Sequence, residues 1–427
     1  MAKYQKYAEY KDSGVEWLGD IPSHWIVTRL KFLAKIKNGQ DYKHVEAECG
    51  FPVMGSGGQF TFSTQFMFDK PSVLLGRKGT IDKPLYINEP FWTVDTMYYT
   101  DVQKDIDVKY FYYLAKTILF DRYSTNTALP SMTQENLNNF EFAIPSEFEE
   151  RKNIRKFLDY ETAKIDTLIA KQEKLIELLK EKRQAVISHA VTKGLNPDVT
   201  MKDSDVEWLG KVPEHWISSR LKYYTNQIVD GAHFTPTYSE SGVPFLRVTD
   251  IHNSKIDMDN IKYIPEHEHL DLIQRCKPEK GDLLLSKNGT IGIPKLVDWD
   301  WEFSIFVSLC LIKFKKNLKA EFAEYFFKSY EIQEQIFGLI KKSTVINLHL
   351  DKIENFWFSI PPLDEQIQIV EYLDNKINEL NNLISKAESA IQLMQERRTA
   401  LISSAVTGKI DVRNWQHPNE AKTELSL

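Results

Sequence analysis

Asp12-Ser-Gly-Val-Glu-Trp-Leu-Gly19 returns almost unchanged as Asp203-Ser-Asp-Val-Glu-Trp-Leu-Gly210, 191 residues later. Working outward, Ile21-Pro-Ser-His-Trp25 returns as Val212-Pro-Glu-His-Trp216, and Arg29-Leu-Lys31 as Arg220-Leu-Lys222. Leu74-Leu-Gly-Arg-Lys-Gly-Thr-Ile81 matches Leu284-Leu-Ser-Lys-Asn-Gly-Thr-Ile291, and each half closes on Asn-Phe-X-Phe-X-Ile-Pro, at 139–145 and 355–361. Such self-similarity means one architecture built twice.

Beyond each closing proline the texture changes. Residues 147–193 and 363–407 contain neither Gly nor Pro and are rich in Lys, Glu, Leu and Ile. In the second run Leu373, Ile377, Leu380, Ile384, Ala387, Ile391, Met394, Arg398, Leu401 and Ala405 recur in alternating steps of four and three. The first run repeats this 215 positions earlier, at Leu158, Thr162, Ile165, Ile169, Gln172, Ile176, Leu179, Arg183, Val186 and Ala190. That spacing predicts two long coiled-coil helices, stopped by Gly194 and Gly408. Between them, Phe51-Pro-Val-Met54, Ser72-Val-Leu-Leu75 and Asp282-Leu-Leu-Leu285 read as short buried strands separated by turns. A helix with a narrow apolar stripe needs a partner, and its own repeat is the nearest.

The expected fold class is therefore α+β: two mixed α/β domains separated by two long antiparallel coiled-coil helices, with a pseudo-two-fold internal repeat. The expected division is a first domain over 1–146, a central helix over 147–195, a second domain over 196–362, a C-terminal helix over 363–410, and an unassigned tail over 411–427.

Composition narrows the function. A chain of 427 residues with 42% apolar and 27% charged residues suits a globular protein of two or three domains. No apolar run approaches membrane-spanning length, and the start lacks the apolar core of a secretory signal. Cys49, Cys276 and Cys310 are odd in number and far apart, which suggests neither a disulfide framework nor a zinc cluster and favours a reducing cytoplasm. Gly55-Ser-Gly-Gly58 is followed by Gln59 and Phe60 rather than Lys, so it reads as a turn and not a phosphate loop. Asn196-Pro197-Asp198 reads as the loop after a helix stop, and His267-Glu268-His269 as a solvated loop. His24-Trp25 and His215-Trp216 read as structural anchors. No catalytic residue, metal site or cofactor is expected in this chain.

Three loop pairs carry the directional hydrogen-bonding groups that base edges and phosphates require. The first holds Lys37, Asn38, Gln40 and Lys43, matched by His233 and Thr235 in Asp230–Pro236. The second holds Arg77 and Lys78, matched by Lys287 and Asn288. The third holds Ser131, Thr133 and Gln134, matched by Lys341, Lys342, Thr344 and Asn347. The scaffold repeats while these loops differ, as two readers of two different half-sites would. A net charge of −6 implies that the chain alone grips a polyanion poorly and needs a partner.

The Asp-Ser-Gly-Val-Glu-Trp-Leu-Gly-X-Ile-Pro-X-His-Trp motif, the Leu-Leu-X-X-X-Gly-Thr-Ile element and Pro-Pro-Leu-Asp-Glu-Gln at 361–366 resemble the specificity subunits of type I restriction-modification systems. The resemblance runs to about residue 410. It implies one target-recognition domain for each half of a bipartite double-stranded DNA site. It implies that the two helices act as spacer and docking surface for two methyltransferase and two motor-nuclease subunits. S-adenosylmethionine, ATP and magnesium would then belong to those partners. The first helix, opening on Pro145-Ser-Glu-Phe-Glu-Glu-Arg151, departs from the pattern at 361–366. The helices alone leave open a second reading, a non-enzymatic coiled-coil scaffold with two ligand-binding domains.

Overall fold

The computed structural model describes residues 4–123, 130–252, 255–340 and 347–418. Two compact units form, one from Met1–Glu173 with Ser389–Leu427, the other from Lys174–Glu388. The long helices span Phe148–Lys193 and Leu363–Val406. Each unit therefore takes one end of each long helix, so the compact units do not coincide with a linear division into domain and helix.

In the first unit the main sheet runs, in spatial order, Ala34–Asn38, Met97–Val102, Ser72–Gly76 and Leu85–Ile87. The second unit repeats that order with Thr225–Asp230, Leu309–Phe314, Leu283–Ser286 and Pro294–Leu296. Ser72–Gly76 and Leu283–Ser286 are buried along their whole length, which is why they read as unbroken apolar runs without alternation. Each unit opens on a hairpin, Tyr10–Asp12 with Asp20–Pro22 or Met201–Asp203 with Lys211–Pro213. Each also pairs an early strand with the last one, Trp25–Arg29 with Glu141–Pro145 and Ile217–Arg220 with Trp357–Ile360. A smaller sheet in each unit holds one parallel pair, Trp92–Thr93 beside Phe51–Gly55 and Ser304–Ile305 beside Val243–Leu246.

The His-Trp motifs lock these sheets to the helices. In the first unit Trp25 is fully buried and its Nε1 donates to Glu150 Oε1 at 2.9 Å. Tyr7 Oη donates to the same oxygen at 2.8 Å, and His24 Nε2 lies 2.8 Å from Oε2. In the second unit Trp216 Nε1 donates to Glu365 Oε2 at 3.0 Å, with His215 Nε2 2.8 Å away. Glu150 and Glu365 sit in the opening turns of the two long helices, 215 residues apart. The first helix thus keeps the acid of the 361–366 pattern although it lacks the rest. Gln366 is also buried, donating to the Pro361 and Asn317 carbonyls and accepting from the Lys319 amide at the start of the Ala320–Phe327 helix.

The seam residues are placed unit by unit. In the first, Leu158, Ile165 and Leu401 are buried in one cluster with domain residues such as Trp25 and Phe142, with Ile169 and Met394 packed against it. There Arg398 Nε donates to Asp166 Oδ1 at 2.8 Å. In the second, Leu373 is buried and Ile377 packs beside it, and Arg183 Nη1 donates to Asn381 Oδ1 at 2.7 Å. Arg183 and Arg398 occupy equivalent repeat positions, as do Asp166 and Asn381. Leu380 and Ile384 are buried, while Ile176, Leu179 and Ile391 are half-buried.

Two further segments differ from the sequence reading. Glu266–Leu272 is a helix rather than a loop, opened by Pro265, and its His269 is buried with Nδ1 2.9 Å from Ser304 Oγ. Part of the unassigned tail is an ordered piece of the first unit: Val412 is buried, and Trp415 packs edge-on to Phe157. Among the described residues no helix is long and apolar enough to cross a membrane.

Cys310 is fully buried and Cys276 nearly so, whereas Cys49 is exposed. Burial pushes the Cys276 thiol up to about 12 and raises that of Cys310 as well. Because the thiolate is the nucleophile, a thiol alkylator at neutral pH should modify only Cys49 in the native chain, and all three cysteines after denaturation. Native labelling at Cys310, read by peptide mass, would contradict the packing of the second unit.

Candidate nucleic-acid interface

The three candidate loops of each half meet at one end of its main sheet. In the first unit Lys78 bridges Ser131 by β-type pairing, and the Met132 amide donates to the Arg77 carbonyl at 3.0 Å. The second unit repeats this with Asn288 beside Asn347 and the Leu348 amide on the Lys287 carbonyl at 2.9 Å. The second and third loops are thus joined by backbone in both units. Side chains add the first loop. Gln134 Nε2 donates to Asn38 Oδ1 at 3.0 Å in one unit, and Lys287 Nζ to Asp230 Oδ2 at 2.8 Å in the other.

Glycine makes the junction possible. A Cβ on Gly39 would stand 2.0 Å from the Val94 carbonyl oxygen, and one on Gly231 2.0 Å from that of Ile305. These matching approaches make Asn38 the counterpart of Asp230, which shifts the expected pairing of the first loops. The cause is an irregularity between Thr225 and Gln227, which gives the second strand one more residue than the first.

The candidate side chains have different fates. Asn38, Gln40, Lys43 and Lys78 are exposed in the first unit. Arg77 is half-buried, with Nη1 donating to the Asp95 carbonyl at 3.2 Å and the guanidinium 6.0 Å from the Tyr98 ring centroid. Ser131 and Gln134 are half-buried. Lys37 requires correction: its Nζ sits 3.1 Å from Asp101 Oδ2 and 5.2 Å from the Phe68 ring, because strand alternation turns it away from Asn38. Thr133 is exposed, but its hydroxyl accepts from the Asn136 amide as a helix cap.

In the second unit His233 and Thr235 are exposed. Asn288 and Asn347 are half-buried, each with its amide oxygen buried and unpartnered among the described residues. Lys287 requires the larger correction. It was expected to reach DNA, but it is 5% exposed and its ammonium is paired with Asp230. A lysine that leaves water must find a charge partner, and that partner lies 57 residues earlier in sequence. Lys341, Lys342 and Thr344 lie outside the described residues.

Sequence reasoning missed Arg275, whose Nη2 pairs with Asp230; it stands in a segment without a repeat counterpart. It also missed Glu150 and Glu365, which the 215-residue offset between the helices could have revealed.

Two mixed α/β domains of one topology, each presenting a different polar loop cluster, define a class of paired recognition module. Comparison with known proteins places the chain within it. Residues 22–178 and 233–392 match the model of the type I restriction modification DNA specificity domain. The chain belongs to that family and carries the domain twice, which makes it a DNA-recognition chain rather than a catalytic one. It is 23% identical over 416 residues to the type I restriction enzyme MjaVIII specificity subunit of Methanocaldococcus jannaschii, covering 92% of this chain and 95% of that one. It is 21% identical to the EcoBI specificity subunit of Escherichia coli, covering 96% and 91%. In fold it is similar to a chain from a structure of complex assembly and conformational transition of the type I R-M system. That match has a TM-score of 0.69 at 15% identity and covers 90% of this chain and 98% of that one. The HsdS subunit from Thermoanaerobacter tengcongensis gives 0.51 at 13% identity, covering 91% and 98%.

Proposed function

We propose that this chain is the specificity subunit of a cytoplasmic type I restriction-modification complex, reading a bipartite DNA target with one domain per half-site. The observation that carries this reading is the loop cluster built twice on one scaffold with different side chains. Asn38, Arg77, Lys78 and Ser131 stand where Asp230, Lys287, Asn288 and Asn347 stand in the other unit. Direct readout needs such divergence, because each base pair shows its own donor and acceptor pattern in the major groove.

The long helices pair as an antiparallel coiled coil under a pseudo-two-fold relation, serving as spacer and as the seat for two methyltransferase subunits; two motor-nuclease subunits join for restriction. Leu168, Leu178, Leu383 and Leu393 support a docking role. They lie off the seam, are at least 42% exposed, and form two pairs of equivalent repeat positions. S-adenosylmethionine, ATP and magnesium arrive with the partners.

The test is reconstitution. The purified chain should neither methylate nor cleave DNA, with or without S-adenosylmethionine or magnesium. Adding its adenine methyltransferase partner should produce methylation at one bipartite sequence. Methyl transfer by the chain alone, abolished by a substitution within it, would overturn the assignment.

A further inference from the structure

Asp230 ends the edge strand of the second unit, and its carboxylate is only 6% exposed. Oδ2 accepts from Lys287 Nζ at 2.8 Å, and Lys287 is equally enclosed. Oδ1 accepts from Arg275 Nη2 and pairs with His233 Nε2 at 3.0 Å. Burial works against the charged carboxylate, yet the bonds from Lys287, His233 and Arg275 outweigh it and hold the acid at about 2. It is therefore ionised at neutral pH.

Asp230 is shared between cations. Among the described residues it is the one carboxylate paired with the two permanent cations, Lys287 and Arg275, while Asp271 lines the same pocket as Arg275. The buried Lys287–Asp230 pair is complete without Arg275, whose side chain is 54% exposed. The Arg275–Asp230 pair is open on the arginine side, which leaves the guanidinium accessible to a ligand. Arg275 is nevertheless held at two points. Gln227 Nε2 donates to its carbonyl at 3.1 Å, and Asp230 takes one guanidinium nitrogen. The rest of its donor fork makes no other hydrogen bond among the described residues. Fixing a long side chain beforehand removes an ordering cost from binding, and an arginine fork matches an anion or a pair of acceptors. In the first unit the position of Asp230 is taken by the neutral Asn38, which accepts from Gln134.

We propose that Arg275 contacts DNA in the second half-site, and that Asp230, clamped by the buried Lys287, is the residue that positions it. The inference rests on the DNA-reading function proposed above. A phosphate oxygen or the paired acceptors on a guanine edge would satisfy the fork.

The experiment uses the full chain with its methyltransferase partner, measuring binding to its mapped target across a salt series. Arg275→Ala should either lower the log–log salt slope by about one unit, the phosphate outcome, or relax discrimination at one base pair of the second half-site. An unchanged slope and unchanged discrimination would remove Arg275 from the interface. The double variant Asp230→Asn with Lys287→Met leaves the net charge unchanged and keeps Arg275, but releases its tether. It should bind about tenfold more weakly or worse, and parent-like binding would overturn the positioning role. Should that variant fail to fold, Arg275→Lys leaves the buried pair intact and retains the charge without the fork. Where Arg275→Ala lowers the salt slope, Arg275→Lys should restore it, and where Arg275→Ala relaxes discrimination, Arg275→Lys should relax it too; a departure from the matching pattern would overturn the proposal. If the unsubstituted complex showed no sequence preference, the functional reading would fail instead of this one.

Discussion

Trp216→Ala should lower the stability of the second unit by about 3–5 kcal/mol, the usual cost of deleting a large aromatic side chain from a core. Trp216 is fully buried. Its ring faces Gly194 at the end of the first long helix, where an added Cβ would meet Trp216 Cζ2 at 3.3 Å. Its Nε1 reaches Glu365 in the opening turn of the second helix. One side chain thus ties a domain to both helix ends within the unit, and alanine would leave a cavity and take a donor from the acid. Trp216→Phe keeps part of the packing but loses the hydrogen bond and the indole edge beside Gly194, so its cost should lie between the roughly 1.5–3 kcal/mol of a bond to a charged group and the alanine value. Hydrogen exchange should report the loss in peptides around Lys211–Pro213 and Trp357–Ile360. Native protection there in the alanine variant would show that the anchor is dispensable.

Lys287→Ala should also destabilise the chain, by about 3 kcal/mol, because removing one partner strands a buried charge. The low end of the range applies, since Arg275 and His233 still contact Asp230. Replacing both partners by neutral residues of similar shape should be far milder. The pH dependence has a definite sign. The folded-state acid is depressed, so its contribution is present above the ordinary carboxylate range and is lost as pH falls from about 4 towards 2. A Lys287→Ala chain of parental stability that bound all DNA sequences more weakly would return Lys287 to the phosphate contacts.

The helices were legible because a glycine- and proline-free run with three-and-four spacing has few other solutions, and the two domains because the scaffold motifs repeat. Polar contacts over long sequence distances were not. Lys287 precedes a glycine in a polar loop, and nothing local reveals that Asp230 lies opposite it. His24-Trp25 and His215-Trp216 were legible as anchors, but not the glutamates that receive them, since those lie 125 and 149 residues from the tryptophans. The first loops were paired out of register because one extra strand residue between Thr225 and Gln227 leaves no mark in hydrophobicity. The buried His269 was missed because His-Glu-His is polar by composition, whatever its neighbours cover.

The most direct test maps methylated adenines in DNA from cells carrying the chain and its methyltransferase partner, before and after residues 20–140 are exchanged for those of a related subunit. The account predicts a bipartite motif in which one half-site changes and the other half-site is retained. Both half-sites changing, neither changing, or methylation without a bipartite motif would contradict two independent readers on one chain.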